Sequence, residues 1–433
     1  MLIDQEPYHG VSFLSKEAIL EAQTVRLREH LTYCKKHSPA YRTMLEKFPL
    51  DLSIMELSQL QQLPFTEKID IEKNPESFCA VSPTAIADMV LSSGTTGEPL
   101  KIVYTDSDLK RLAYNEAQSF SACGVKAGDV ALLTCTLDRC FVAGLAYFLG
   151  MRRLGAASIR NGHGSLESHT SIIKKMKPSV IVGVPSFLKK LGLHMRGMGL
   201  VPSNVGVDKL ICIGEPVRDQ NLALTGTGKD LQGIWHARVF STYASSETVT
   251  TFCECTVQEG GHSLPDLAIV EIIGEDGTVL PAGKVGEVVI TPMAVEGMPL
   301  IRYKTGDISF LIDKPCKCGR FSPRLGPILG RNKQLMKVKG TSLYPQSVNA
   351  ALDEIEQVLD YCVVVSREAD LSDKLTIHVA VKERSVTGEW LEGQLAARLR
   401  VKPEVVIENE IEIRARIFLP QSRKPVRFVD RRS

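Results

Sequence analysis

Two groups of residues in this 433-residue chain could do chemistry. The first is the run LSSGTTGEPL, Leu91 to Leu100. Glycines let the backbone turn sharply and gather its N–H groups, and serine and threonine hydroxyls add donors. Ser92, Ser93, Gly94, Thr95, Thr96 and Gly97 therefore form a candidate polyphosphate loop. It is not a Walker loop, because GxxxxGK[ST] is absent. An arbitrary Ser/Thr/Gly stretch is more often a surface turn, but SSGTTG is a sharper string than that. The second group is FCEC with Cys253 and Cys255, His262, and PCKCGR with Cys316 and Cys318. Three thiolates and one imidazole make a tetrahedral zinc site. Residue type alone leaves open whether Cys253 or Cys255 is the upstream ligand.

Something must position these groups. Short continuous apolar runs recur from Asp129 onward: VALLTC, VIVGVP, LICIGE and RVFSTY. Helix-like stretches lie between them, which predicts strands buried on both faces of a parallel α/β sheet. Before them, Lys16–Lys47 has helical spacing. After them, AIVEII, a turn at EDGT and GEVVIT predict a small antiparallel β unit. Beyond Gly330 the pattern predicts a separate segment: a helix near Ser347–Val358, strands CVVVS and LTIHVAVKE, a helix near Glu389–Arg400 and a closing strand IEIRARIFLP. That segment is long enough to bury its own core. The expectation is an α/β fold: a large N-terminal domain over 1–331, and a small mobile α+β C-terminal domain over 332–433. The large domain has mostly parallel sheets flanked by helices plus the small β unit.

Composition narrows the function. Lys+Arg number 52 and Asp+Glu 50, a balance that points to neither a nucleic-acid partner nor a membrane surface. No apolar run is long enough to span a bilayer, and MLIDQEPYHG has no apolar signal core. Most of the eleven cysteines sit singly in apolar stretches, as Cys135 and Cys212 do, which reads as reduced core thiols and a cytoplasmic protein.

With these motifs in order, the chain resembles the adenylate-forming superfamily, and within it the phenylacetate–coenzyme A ligase-like family. The resemblance runs almost end to end. HSPAYRTMLEKF with LPFTEK resembles the family's opening, LSSGTTGEPL its phosphate loop, and GLAYFLGMRRLGAASI the border of its acyl pocket. IGEP and YASSE resemble the adenine-side motifs. PLIRYKTGD, LGRNKQLMKVKGTSLYPQSV and KPVRFVDRR complete the set.

The resemblance implies roles. ATP would be held by the Ser92–Gly97 loop, by Gly214, Glu215 and Pro216, by Tyr243 and Ser246, and by Asp307 and Arg331 at the ribose. Glu247 would hold Mg²⁺, for which a hard oxygen ligand is apt. Lys424 would neutralise the α-phosphate and the entering carboxylate, a task for a compact ammonium. Lys333 would be the hinge about which the small domain rotates to admit the thiol of coenzyme A. The strand-and-turn segment at Lys337–Gly340 would then line the pantetheine channel. Phe141, Tyr147 and Ala244 would border the acyl pocket, and the substrate class would be an aromatic carboxylic acid. The resemblance also selects Cys255, with His262, Cys316 and Cys318, for a structural Zn²⁺.

The chain departs from the family at Arg423 before the closing lysine, at Ala244 after Tyr243, at Lys333–Gln334 in the hinge, and at His163 in NGHG. Two other readings stand beside the ligase: an adenylating enzyme that delivers to a carrier protein or an amine, and a nucleotide-binding protein without turnover. A homodimer is compatible with any of them.

Overall fold

A proline divides the helical start. A computed structural model of the chain describes residues 10–48, 50–92, 99–338, 341–367, 373–383, 385–418 and 426–432. Ser15 caps a helix over Lys16–His37, and a second helix, Pro39–Leu45, opens on Pro39. The residue before a proline avoids helical backbone, so Ser38 sits at φ −96° and ψ 117° and the helical start is two helices. Leu27, Leu31, Cys34, Tyr41 and Leu45 turn into the core.

The chain divides into two compact units. The first comprises the described residues of Met1–Leu224, Gly228–Thr305 and Ser309–Ile328; the second, those of Thr225–Thr227, Gly306–Ile308 and Leu329–Ser433.

The first unit carries a nine-stranded sheet. One half is parallel, in the order Ala157–Arg160, Val130–Leu133, Val180–Gly183, Lys209–Ile213, Arg238–Ser245. Val180–Gly183 and Lys209–Ile213 are buried at every position, which is why their apolar runs do not alternate. The other half is antiparallel: Thr250–Glu254, Gly261–His262, Arg324–Leu325 and Leu311–Ile312. Ala268–Ile273 and Gly286–Pro292 pair antiparallel, as expected, across a turn closed by Gly274 and Thr278.

One helix defies its composition. Asp106–Ala122 is rich in polar side chains, yet Asp108, Arg111, Asn115, Glu116 and Ser119 are buried. Each meets backbone or side-chain partners. Arg111 donates to the carbonyls of Met293, Val249 and Leu267, and Asp108 accepts from the Glu296 and Gly297 N–H groups. Glu116 is the exception. One carboxylate oxygen accepts from the Thr251 hydroxyl, and the other is buried with no partner among the described residues. Burial pushes this carboxyl up to about 7. The neighbouring helix, Val142–Leu154, crosses so closely that a methyl group built on Gly150 would lie 2.3 Å from Glu116 Cβ.

A raised carboxyl binds its proton better folded than unfolded. Its contribution is therefore most favourable below about pH 4.5 and is lost as pH climbs to about 7. Glu116→Gln should remove this slope. Relative to wild type, the variant is expected to gain about 3 kcal/mol between pH 4.5 and 8, read from denaturant unfolding. A stability difference that does not change with pH would refute the account.

The second unit holds a four-stranded mixed sheet, in the order Glu404–Ile407, Asp373–Val381, Val358–Arg367, Phe428–Asp430. Helices Pro345–Asp353 and Gly388–Leu399 pack one face through Val348, Leu352, Leu391 and Leu395.

The closing strand expected at IEIRARIFLP is instead a helix, Glu410–Ile417. Alternating isoleucines suggested period two. Local hydrogen bonding decides otherwise: Asn409 accepts from the Glu412 N–H at 2.9 Å, and Glu412 accepts from the Asn409 N–H at 3.1 Å. Ile413 and Ile417, four apart, are buried, while Ile411 is 81% exposed. The last strand is Phe428–Asp430, parallel to Val358–Arg367.

Candidate active site and metal cluster

In an open α/β sheet, ligands bind outside the carboxyl ends of the strands, where the connections diverge. Here that point is Val130–Leu133. Its connection runs to Ala157–Arg160 on one side, while Val180–Gly183 on the other side begins the run towards Arg238–Ser245. The turns at those ends carry Phe141, Gly214, Glu215, Pro216, Ser246 and Glu247.

The candidate phosphate loop rises from a hairpin. Asp88–Leu91 pairs antiparallel with Lys101–Tyr104, and Leu91 faces Lys101. Ser92 closes the base: its N–H donates to the Leu100 carbonyl and its hydroxyl accepts from the Leu100 N–H, both at 2.9 Å. Ser93, Gly94, Thr95, Thr96 and Gly97 lie outside the described residues, as does Lys424.

The turn after Lys209–Ile213 opens on Gly214 at φ +73°, where a side chain would be strained. Glu215 reaches across to the start of helix Pro185–Gly197, accepting from the Ser186 N–H at 2.9 Å and hydroxyl at 2.8 Å. A carboxylate at a helix N-terminus is favourably placed. Pro216 is exposed.

Tyr243 is half-buried and stacks on Phe252 at 5.9 Å. Ala244 beside it is exposed. Ser245 donates to Glu247 at 2.7 Å, and the Ser246 carbonyl accepts from the Tyr104 hydroxyl at 2.7 Å. Burial, then the nearby Glu247, holds the Tyr104 phenol well above its ordinary range, so it remains a donor.

Phe141 is half-buried and immediately precedes helix Val142–Leu154. Tyr147 lies deeper, 3% exposed and edge-on to Phe120 at 5.8 Å.

Within the second unit, Asp307 and Arg331 are cross-strand partners, with Arg331 Nε donating to the Asp307 carboxylate at 3.0 Å. Lys333 is exposed in a short helical turn, Asn332–Gln334. Its carbonyl accepts from Arg432, which also donates to the Leu335 carbonyl at 2.6 Å and pairs with Asp373 at 2.9 Å. Sequence reading missed Arg432, because a basic tail gives no sign of which cation is bound.

The cysteine–histidine set converges. The ligand atoms of Cys255, His262, Cys316 and Cys318 all lie within 4.8 Å of one another. Cys253 turns away, its sulfur 3.5 Å from that of Cys123. The antiparallel half of the sheet builds the cluster. Cys255 follows Thr250–Glu254, and His262 ends Gly261–His262. Cys316 and Cys318 sit in a tight knuckle closed by the Cys316 and Arg320 backbone at 3.0 Å.

Burial first, then Arg320 and Arg324, lowers His262 to about 3, so the imidazole is neutral, as a metal ligand must be. Its Nε2 lies 3.5 Å from Cys318 Sγ. Burial raises the Cys318 thiol, but the Arg320 backbone and guanidinium outweigh that and leave it lowered. Three sulfurs and a neutral imidazole in one buried cluster suit a soft or borderline divalent cation. Cys316→Ser is expected to lower bound metal, by elemental analysis, and melting temperature together. Unchanged metal content would rule this cluster out as its holder.

Comparison with known proteins follows this geometry. The AMP-binding enzyme family matches residues 24–295, and the AMP-binding enzyme C-terminal domain matches residues 340–432. The chain is 32% identical over 381 residues to a phenylacetate–coenzyme A ligase of Thermus thermophilus, covering 86% of this chain and 83% of that one. It is 28% identical to the phenylacetate–coenzyme A ligase of Escherichia coli, covering 86% and 85%. Its fold is shared with a 2-hydroxyisobutyryl-CoA ligase in its postadenylation state, at TM-score 0.83, 21% identity, and 96% and 89% coverage. With both segments matched in order, the chain belongs to the AMP-binding enzyme family.

Proposed function

We infer that the protein is an AMP-forming acid–thiol ligase, which activates a carboxylic acid with ATP and passes the acyl group to coenzyme A. The observation that carries this is coverage: the likeness to phenylacetate–coenzyme A ligases spans most of both chains.

The residue roles follow as proposals. Carboxylate oxygen attacks the α-phosphorus of ATP in line as pyrophosphate leaves. Two anions meet, so the site must supply fixed donors and positive charge. The Ser92–Gly97 loop would hold the β- and γ-phosphates on the hairpin root that Ser92 pins. Gly214, Glu215, Pro216, Tyr243 and Ser246 would border the adenine, and the Asp307–Arg331 pair the ribose. Glu247 would hold Mg²⁺ as its carboxylate ligand, and the ion would supply positive charge to offset that of the phosphates. Phe141, Tyr147 and Ala244 would border the acid, which we take to be aromatic, as in the ligases it resembles. The Cys255, His262, Cys316 and Cys318 cluster would hold a structural Zn²⁺, since four protein ligands leave no open position for substrate.

Residues 1–331 would bind ATP and acid. Residues 332–433 would rotate about Lys333, withdrawing Lys424 and bringing up the Lys337–Gly340 segment for the thiol. Among the described residues no helix is long and apolar enough to cross a membrane, and all eleven cysteines are free thiols. We place the protein in the cytoplasm on the strength of those thiols.

The test is acid-dependent exchange of labelled pyrophosphate into ATP, with and without coenzyme A. An acid that drives exchange and then consumes coenzyme A supports the ligase. Exchange that ignores coenzyme A favours a carrier-protein or amine acceptor. ATP binding with no exchange for any acid overturns the reading in favour of a silent nucleotide-binding protein.

A further inference from the structure

The turn that leaves the divergence point of the sheet is strained, and its strain falls on an arginine. Val130–Leu133 ends in the turn 134–141. The turn starts bound to the next strand: the Thr134 N–H and hydroxyl both donate to the Val182 carbonyl at 3.0 Å. It ends at Phe141, whose N–H donates to the Asp138 carbonyl. Between these anchors, Arg139 and Cys140 take φ +59° and +54° in succession. Glycine adopts that backbone without steric cost, whereas each side chain there costs about 1–2 kcal/mol. Non-glycine residues persist in such conformations mainly where the surroundings over-determine them, and they cluster at functional sites.

The surroundings here do so. The Cys140 carbonyl accepts from the Leu91 N–H at 2.9 Å, and Leu91 leads directly into the phosphate loop. On the other side, the following helix presses on the turn. A methyl built on Gly144 would lie 2.1 Å from the Thr136 carbonyl oxygen. The turn is thus tied to the root of the phosphate loop and to the helix that Phe141 begins. Its rim is polar: Asp138 accepts from the Thr136 hydroxyl, and Arg139 and His163 add to the field that keeps it ionised. A hydrocarbon substituent finds no match among an exposed carboxylate, guanidinium and imidazole. A guanidinium fork matches carboxylates and other planar acceptors.

We propose that Arg139 is a specificity-determining residue, and that the preferred acid carries a second hydrogen-bond acceptor, a carboxylate or a hydroxyl, away from the carboxyl that is activated. This rests on the ligase reading above. The test is pyrophosphate exchange with aryl and aliphatic acids, each paired with an analogue bearing the extra group, for wild type, Arg139→Lys and Arg139→Gly.

Wild type should favour the acceptor-bearing member of at least one pair by about tenfold or more in kcat/KM. Arg139→Gly should erase most of that preference through KM for the acid, with KM for ATP unchanged. It should do so with no loss of thermal stability, since glycine relieves the strain. Arg139→Lys, which keeps the charge without the fork, should fall between. A preference for the plain acids, or an unchanged ratio in Arg139→Gly, overturns the proposal while leaving a working ligase. Absence of exchange with every acid in wild type overturns the ligase reading, and this proposal with it.

Discussion

Lys424→Ala is expected to lower acid-dependent pyrophosphate exchange by about 10²–10³-fold, the scale seen when one preorganised charge stabiliser is removed. The argument is electrostatic. An acid carboxylate approaches the α-phosphate, and their repulsion grows as the oxygens close. A compact ammonium beside both removes most of that cost, and water excluded from the site cannot replace it. The thiol step has a different demand. AMP leaves as an anion and the nucleophile is a thiolate, and in the rotated arrangement proposed above the lysine would have withdrawn. Coenzyme A thioester formation from a supplied acyl-adenylate should therefore be nearly unchanged. Equal loss of both half-reactions would show that a single arrangement serves both steps.

The second large effect concerns a buried ion pair that no motif announces. Arg218, 8% exposed, pairs with Glu254, 1% exposed, and donates to the Leu222 carbonyl at 3.1 Å and the Val239 carbonyl at 3.2 Å. The other oxygen of Glu254 accepts from the Ser241 N–H at 2.8 Å. Arg218 thus pins the limb descending from Gly214–Pro216 to the sheet, beside the strand that leads to Cys255.

Removing one partner leaves a buried charge unpaired. Arg218→Ala is expected to destabilise the protein by about 3–5 kcal/mol. Replacing the pair together, Arg218→Met with Glu254→Gln, removes both charges and should cost much less. Denaturant unfolding of Arg218→Met, Glu254→Gln and the double closes the cycle. Additive losses would mean that the pair does not act as a unit. Below its melting temperature, Arg218→Ala should also raise KM for ATP more than KM for the acid, because the limb it releases would border the adenine in the proposed site.

The parallel sheet was legible because burial on both faces leaves no polar positions to interrupt runs such as those at Val180–Gly183 and Lys209–Ile213. The candidate metal cluster was legible because few residue types bind soft cations, so the cysteines and His262 stood out by type and the resemblance picked Cys255 over Cys253. The helix Glu410–Ile417 was misread because alternating isoleucines imitate a strand, although the Asn409–Glu412 capping box was present in the sequence. The burial of Arg111, Asn115 and Glu116 had no sequence signal. Their partners are strand and loop atoms more than a hundred residues away.

Sequence by itself therefore determined the class of fold and offered a candidate phosphate loop and a candidate metal-ligand set, which follow from residue type and short-range spacing; the family came from the resemblance of its ordered motifs. Only the tertiary structure decided that Glu215 is engaged by Ser186, that Arg432 ties the Lys333 turn, and that strain falls on Arg139. Each depends on which distant backbone atoms are left to satisfy once the strands have paired, and on which side chain the register turns toward them.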